Sequence, residues 1–266
     1  MKKTINITAN QNAVSQEIKG ILTDKLTRAG YRVSAEFDPD AELIVCVGGD
    51  GALLRTLRYY HFPQIPIIGV NTGHLGFFQE LMPDQLDDFI RDYEKNDFVV
   101  QTMKVAQAIV RTKNENVRLL GLNEIIIKAD KSRSIHLNMS LGSNFVEKFS
   151  GDGILVSTPA GSTAYNYALG GSIVDPRVDL LQITPLAPMN TTAFRSFTSS
   201  VVVPPDITIN IVPEFTYENS LLVVADGKEY NFEDITGISV SFSDKTVQLL
   251  RLNGYDFWDK VKTKFL

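Results

Sequence analysis

Near Phe98 the apolar residues change their period, and that change constrains the fold more than any other feature of the chain. Before it, strand-like and helix-like stretches alternate. Residues 4–8 (TINIT) read as a short strand; Val14, Ile18, Leu22 and Leu26 recur at helical spacing before Gly30; Tyr31, Val33, Ala35 and Phe37 alternate as a strand does. The run ELIVCVGGDG at 42–51 is apolar until it meets its glycines. Leu53, Leu54 and Leu57 then continue in helical register, IPIIGV at 65–70 is a second buried run, and Leu86, Phe89, Ile90 and Tyr93 share one helical face. Alternation of this kind predicts a parallel sheet flanked by helices. After Phe98, short β-rich runs follow one another (FVVQTMKVAQAIV, NEIIIKA, IHLNMSL, VVVPPDITINIV, LLVVA, ISVSF, TVQLL), with one helix candidate among them, after Pro159. That grammar predicts a mainly β, layered or sandwich domain. The expected organisation is an α/β domain over 1–100, a β-rich domain over 101–250 and a final segment over 251–266. The final segment is amphipathic, with Phe257, Trp258, Val261 and Phe265 apolar, and suits either packing back on the first domain or a subunit contact.

Composition narrows the function. Across 266 residues, 26 Lys and Arg face 31 Asp and Glu, a net charge of −5 that gives no general basic field for nucleic acid or an anionic membrane. The first residues carry two lysines but no continuous apolar run, and no later stretch approaches the roughly 18 apolar residues of a membrane span, so a cytoplasmic protein is expected. The single cysteine, Cys46, lies inside the run before the glycines and reads as a small core hydrophobe.

Three constellations carry chemistry. VGGDGALLRTL is a strand, a glycine turn and a helix, a pattern in which backbone N–H groups and the helix N-terminus converge on phosphate oxygens. Asp50 is the odd element there. A carboxylate beside phosphates repels them unless it binds a metal or accepts a proton from an attacking hydroxyl, and the alternative is a helix N-cap in a tight turn. The turn is neither a Walker loop nor GxGxxG. GVNTGHLGFF at 69–78 is a loop whose Phe77 or Phe78 either covers a ligand or fills the core, and His74 has no metal-ligand pattern around it. SGDGILVSTPAGSTAYNYALGG at 150–171 crowds glycines and hydroxyls around a short strand and a short helix start, and Asp152 is placed to bond ribose hydroxyls. A smaller element, Asn123-Glu124 opening an apolar strand, pairs an amide with a carboxylate that can read a base edge or a ribose diol.

In order, GGDG at 48–51, NTGHLGF at 71–77, LNE at 122–124, GDG at 151–153 and STPAGSTAY at 157–165 resemble the NAD kinase family over most of the chain. The resemblance implies an N-terminal α/β domain and a C-terminal β domain. It implies transfer of the terminal phosphoryl of ATP, supplied with Mg²⁺, to the 2′-hydroxyl of the adenosine ribose of NAD, giving NADP. It also implies a homodimer or homotetramer, and leaves inorganic polyphosphate open as a second donor. By matched position it makes Asp50 the proton acceptor, with Gly51 at the phosphates and Phe77 in the covering loop. Asn123 and Glu124 become the nucleotide-binding pair, Asp152 the ribose ligand, and Thr163, Ala164, Tyr165, Asn166, Tyr167 and Ala168 the wall of the dinucleotide pocket. Ala187 becomes an adenine-side position contributed in some members by a neighbouring subunit, and Asp226 a further acidic turn. Three positions depart from the family pattern: Ala52 and Ala160 replace hydroxyl residues, and Ser150, counted among the ligand contacts, stands where several relatives have Arg. Two rivals share parts of the pattern. A lipid or sphingoid kinase has the GGDG turn but not the Thr163-Ala164-Tyr165 segment, and a dinucleotide sensor without catalysis would not need Asp50.

Overall fold

The computed structural model describes residues 4–73, 76–192, 194–215 and 219–266. The chain forms two compact units, one of residues 1–103 with 245–266 and the other of residues 104–244.

The first unit opens β1 (Thr4–Ala9), α1 (Ala13–Arg28), β2 (Arg32–Ser34), β3 (Leu43–Val47), α2 (Asp50–Tyr59), β4 (Ile67–Val70), β5 (Gln79–Leu81) and α3 (Leu86–Glu94). The strands pair in parallel in the order β2-β1-β3-β4, with β5 on the far end of β4. Every residue of β3 and β4 is buried, as strands covered on both faces require. Leu22 and Leu26 of α1 and Leu86, Phe89 and Ile90 of α3 pack with Ile5, Ile7, Val45, Ile68 and Val70 in one core. Val14, on the expected apolar face of α1, is 53% exposed. The first turn follows an N-cap in which Asn12 accepts from the Ser15 amide, and Ser15 rather than Val14 turns inward.

The second unit continues with β6 (Phe98–Thr112), β7 (Asn116–Gly121), β8 (Glu124–Ala129), β9 (Ile135–Leu141), β10 (Asn144–Gly151) and β11 (Gly153–Ser157). A 3-10 turn at Ala160–Thr163 leads to α4 (Tyr165–Ala168), then β12 (Leu181–Leu186), β13 (Val201–Val203), β14 (Ile209–Pro213), β15 (Leu221–Ala225), β16 (Lys228–Phe232) and β17 (Ile235–Leu252). One sheet is antiparallel throughout in the order β13-β12-β11-β8-β15-β16. A second, antiparallel layer uses β9, β10 and β14 with the parts of β6 and β17 that belong to this unit. Ile125, Ile127, Ile154, Val156 and Val223 from the first layer meet Val110, Leu137, Phe149, Ile211 and Val240 from the second, which makes this unit a β-sandwich. The period of two sends Ile126 of β8 to the other face, where it joins Leu155, Leu186, Leu222 and Val224 under Leu169. Glu124 is in step with Ile126.

The chain returns to the first unit within β17, where Leu249 pairs in parallel with Ile67, and ends in α5 (Phe257–Phe265), capped by Asp256 accepting from the Asp259 amide.

Candidate functional site

In the first unit the site is built on the turn between β3 and α2. Gly48 has φ +154°, and a Cβ added to it would lie 2.6 Å from the Cβ of buried Ala52 and 3.0 Å from Asn10, so the chain itself demands glycine there. Gly49 and Gly51 differ. A Cβ on Gly49 would meet nothing within 4 Å, and one on Gly51 would meet only the Arg55 guanidinium, at 3.5 Å. Two of the three glycines therefore border open space at the start of α2, the arrangement in which backbone can approach phosphate oxygens.

Asp50 is the first residue of α2, and both of its carboxylate oxygens are held. Oδ2 accepts from the Phe77 amide at 2.8 Å and Oδ1 from the Phe78 amide at 3.0 Å. Gly76 makes that approach possible, because a Cβ there would lie 2.2 Å from Oδ1. A carboxylate has about four acceptor positions, so each oxygen keeps one lone pair beyond these bonds. Upstream in the same loop, the Asn71 side chain accepts from the Gly73 amide and donates to the Gly73 carbonyl. His74 and Leu75 lie outside the described residues.

Phe77 is placed by its ring and works through its backbone. The ring is buried against Phe257 and Phe265 of α5, not set out as a stacking surface. Its carbonyl accepts from Arg251 Nη2 and Lys260 Nζ, each at 3.4 Å. Neither cation stood out in the sequence. Arg251, a charge inside the apolar run TVQLLRL, carried a signal, since a buried guanidinium needs partners. Lys260 carried none. Burial lowers the Lys260 ammonium to about 8, against the opposing pull of Glu80.

In the second unit Asn123 and Glu124 open β8. Asp226 and Gly227 form the β15–β16 turn with φ 46° and 76°, the all-positive pair of a type I′ hairpin. The Asp226 carboxylate accepts from the amides of Leu122, Asn123 and Glu124 at 2.7, 2.7 and 3.3 Å. The Asp226 side chain thus sets the backbone of the pair. Thr158 holds the opposite side: its hydroxyl donates to the Leu122 carbonyl at 2.5 Å and accepts from the Gly161 amide at 3.2 Å. Gly161 is tight against this backbone, with a Cβ there falling 2.0 Å from the Asn123 carbonyl. Asn123 Oδ1 and Glu124 Oε2 are buried without a hydrogen-bond partner among the described residues. Burial first, and the neighbouring Asp226 second, push the Glu124 carboxyl up to about 8, so it keeps a proton at neutral pH.

The Thr163–Ala168 segment follows at the same end of β11. Thr163 is buried in the 3-10 turn, Ala164 has φ −93° and ψ −132° between that turn and α4, and Tyr165 and Tyr167 are exposed. Asn166 is buried and pins the segment, accepting from the Thr184 hydroxyl at 2.6 Å and donating to the carbonyls of Ser162 and Ser172. Ala168 is exposed.

Ser150, Asp152 and Ala187 sit at the other end of β11. Gly153 pairs with Lys128 while Ser157 pairs with Glu124, so Asp152 stands about 16 Å along the strand from Glu124. Asp152 is exposed, and its amide donates to the Leu186 carbonyl. Ala187, exposed with φ 43°, lies against Gly151. Ser150 is buried, its amide donating to Ser196 Oγ and its carbonyl accepting from the Met189 amide. The structure thus groups Asn123, Glu124, Asp226 and the 163–168 segment, and separates Ser150, Asp152 and Ala187 from them by the length of a strand.

Residues 1–98 match the family model of the ATP-NAD kinase N-terminal domain, and residues 122–252 that of the ATP-NAD kinase C-terminal domain. The chain belongs to the NAD kinase family. It is accordingly a kinase. A NAD kinase of Finegoldia magna is 37% identical over 99% of this chain and 98% of its own, and NAD kinase 1 of Oceanobacillus iheyensis is 33% identical over 95% and 94%. The fold is shared with yeast NADH kinase, crystallised with NADH, at a TM-score of 0.86 and 19% identity over 99% of this chain and 87% of that one. It is also shared with an Archaeoglobus fulgidus NAD kinase crystallised with ATP, at 0.76 and 24% over 98% and 97%. No described helix is long and apolar enough to cross a membrane.

Proposed function

We propose that this kinase transfers the terminal phosphoryl of ATP to the 2′-hydroxyl of the adenosine ribose of NAD, with Asp50 accepting the proton. The observation that carries the reading is the Asp50 carboxylate, held by two backbone amides at the head of α2 beside two glycines that border open space. In the transfer the 2′-oxygen bonds to the γ-phosphorus and the bond from that phosphorus to the β–γ bridging oxygen breaks. ADP leaves, and the hydroxyl proton passes to a lone pair of Asp50. Because both oxygens are fixed, the acceptor needs no rearrangement when the hydroxyl arrives.

Phosphate charge is met by the amides at the start of α2 and by Arg55, whose guanidinium lies over Gly51 while it also donates to Asn10. Magnesium would arrive on the phosphates of ATP, as part of that substrate. When bound, it would supply charge neutralisation on the transferred group.

Asn123 and Glu124 would read the nucleotide. The orphaned Asn123 Oδ1 accepts from an N–H or O–H of a base amine or a ribose diol, the protonated Glu124 carboxyl can donate as well as accept, and satisfying the two groups offsets a desolvation cost of about 1–3 kcal/mol each. Asp152 and Ala187, about 16 Å away along β11, would serve a distant part of the dinucleotide. The reading includes a cytoplasmic homodimer or homotetramer in which Ala187 reaches a neighbour's pocket, which light scattering on the purified protein tests.

Purified protein with NAD, ATP and Mg²⁺ is expected to yield NADP, detected with an NADP-specific dehydrogenase. Asp50→Asn is expected to lower kcat by roughly 10²-fold or more while calorimetry still shows NAD binding. Unchanged turnover would remove Asp50 from the proton-acceptor role. No product despite bound NAD would point to inorganic polyphosphate as donor or to a sensor.

A further inference from the structure

One peptide group joins Asp50 to the C-terminal end of the chain. The amide of Phe78 and the carbonyl of Phe77 belong to the same planar unit, whose atoms move together. On one side its N–H donates to Asp50 Oδ1 at 3.0 Å. On the other its C=O accepts from Lys260 Nζ and Arg251 Nη2, each at 3.4 Å. Lys260 also donates to the Gln79 carbonyl, and the Phe77 ring is wedged against Phe257 and Phe265 of the same helix. Segment 77–79 is therefore held on its carbonyl side by α5 and β17 and presents its amides to Asp50.

The two cations are themselves fixed. Arg251, 2% exposed, donates to Glu80 Oε2 at 2.9 Å, to Gln101 Oε1 at 3.0 Å and to the Tyr255 hydroxyl at 3.1 Å, and stacks on the Tyr255 ring. Glu80 Oε1 accepts from the Leu252 amide, and Lys260 lies 3.7 Å from Glu80 Oε2. Cations on a carbonyl also polarise its peptide, which strengthens the hydrogen bond its N–H donates.

We propose that Lys260 is a positioning residue for phosphoryl transfer: by holding the Phe77–Phe78 peptide, the C-terminal helix sets the place of the Asp50 carboxylate. The proposal rests on the reading of Asp50 as proton acceptor. Lys260 does not touch substrate in this account, so its effect belongs in kcat and not in KM. A carboxylate shifted by about 1 Å costs on the order of 10²-fold in rate, which bounds the expected loss.

The test is a double-mutant cycle in the full-length enzyme. Lys260→Met is expected to lower kcat by about tenfold or more while KM for NAD and for ATP stay within about twofold, and Lys260→Arg, which keeps the charge and the donors, is expected to restore most of the rate. In the Asp50→Asn background, Lys260→Met should change the residual turnover by less than about twofold, since its target is already gone. A purely structural lysine would give losses that multiply across the two sites, and that outcome, or an undiminished kcat in Lys260→Met, overturns the proposal. Should Lys260→Met fail to fold, the cycle is run with Lys260→Gln, for which the same outcomes decide. Full turnover in Asp50→Asn alone would instead overturn the underlying reading of Asp50.

Discussion

Asp50 and Glu124 are both carboxylates at the first residue of an element, and the two units treat them in opposite ways. Asp50 is supplied with two backbone donors from a loop shaped around it. Glu124 has its backbone fixed by Asp226, while its Oε2 is buried with no partner among the described residues and its carboxyl is pushed up to about 8. The contrast teaches how to separate two kinds of polar residue at a site. A carboxylate satisfied by its own chain is held in place; one left unsatisfied in a buried position gains its missing bond from something else.

Three substitutions sharpen or break that contrast. Gly76→Ala has the largest expected effect, because its methyl group would occupy space 2.2 Å from Asp50 Oδ1 and drive the carboxylate from its amides. A kcat loss on the order of 10²-fold with NAD binding intact is expected, and wild-type kcat would show that the fixed geometry of Asp50 does not matter. Gly161→Ala comes next. Its methyl would lie 2.0 Å from the Asn123 carbonyl, so the backbone of the Asn123-Glu124 pair must shift, at a cost of about 3 kcal/mol in urea unfolding together with weaker NAD binding. Weaker binding without loss of stability would mean that the backbone yields easily.

The smallest effect is in pH dependence. The Glu124 carboxyl is raised from 4.5 to about 8, so between those values the folded protein holds a proton that the unfolded chain has released. Stability then falls as pH rises through that window. Glu124→Gln removes the group, so on going from about pH 5 to about pH 8 the variant should lose less stability than wild type in urea unfolding. Parallel curves for the two proteins would show that Glu124 is ionised throughout, and the contrast with Asp50 would collapse.

Much of the fold was legible because it follows from local pattern. The helical face of Leu86, Phe89, Ile90 and Tyr93 became α3, and the runs around Cys46 and Ile68 became the buried parallel strands β3 and β4. Other features were not local. The period-two runs ISVSF and TVQLL are one 18-residue strand, β17, whose two halves belong to different units. Val14 fitted the apolar stripe of α1 but faces solvent, because strict four-residue spacing drifts by about 40° per step around a helix of 3.6 residues per turn, which leaves Ser15 and not Val14 in line with Leu22 and Leu26.

At the candidate site the chain's own order of residues determined which types stand at the turn, the strand start and the segment after β11, since glycine turns and strand openings depend on neighbours along the chain. Residue pattern drew attention to Asp50, Asn123 and Glu124, and the family resemblance added Asp226. Only the tertiary structure decided what each one touches. It made Gly48 a packing requirement while leaving Gly49 and Gly51 beside open space, and it turned the Phe77 ring into core. It gave the Asp226 carboxylate to three backbone amides, and brought Lys260 to a peptide 183 positions earlier in the chain. Those outcomes depend on contacts between residues far apart in sequence, and periodicity or motif spacing carries no information about them.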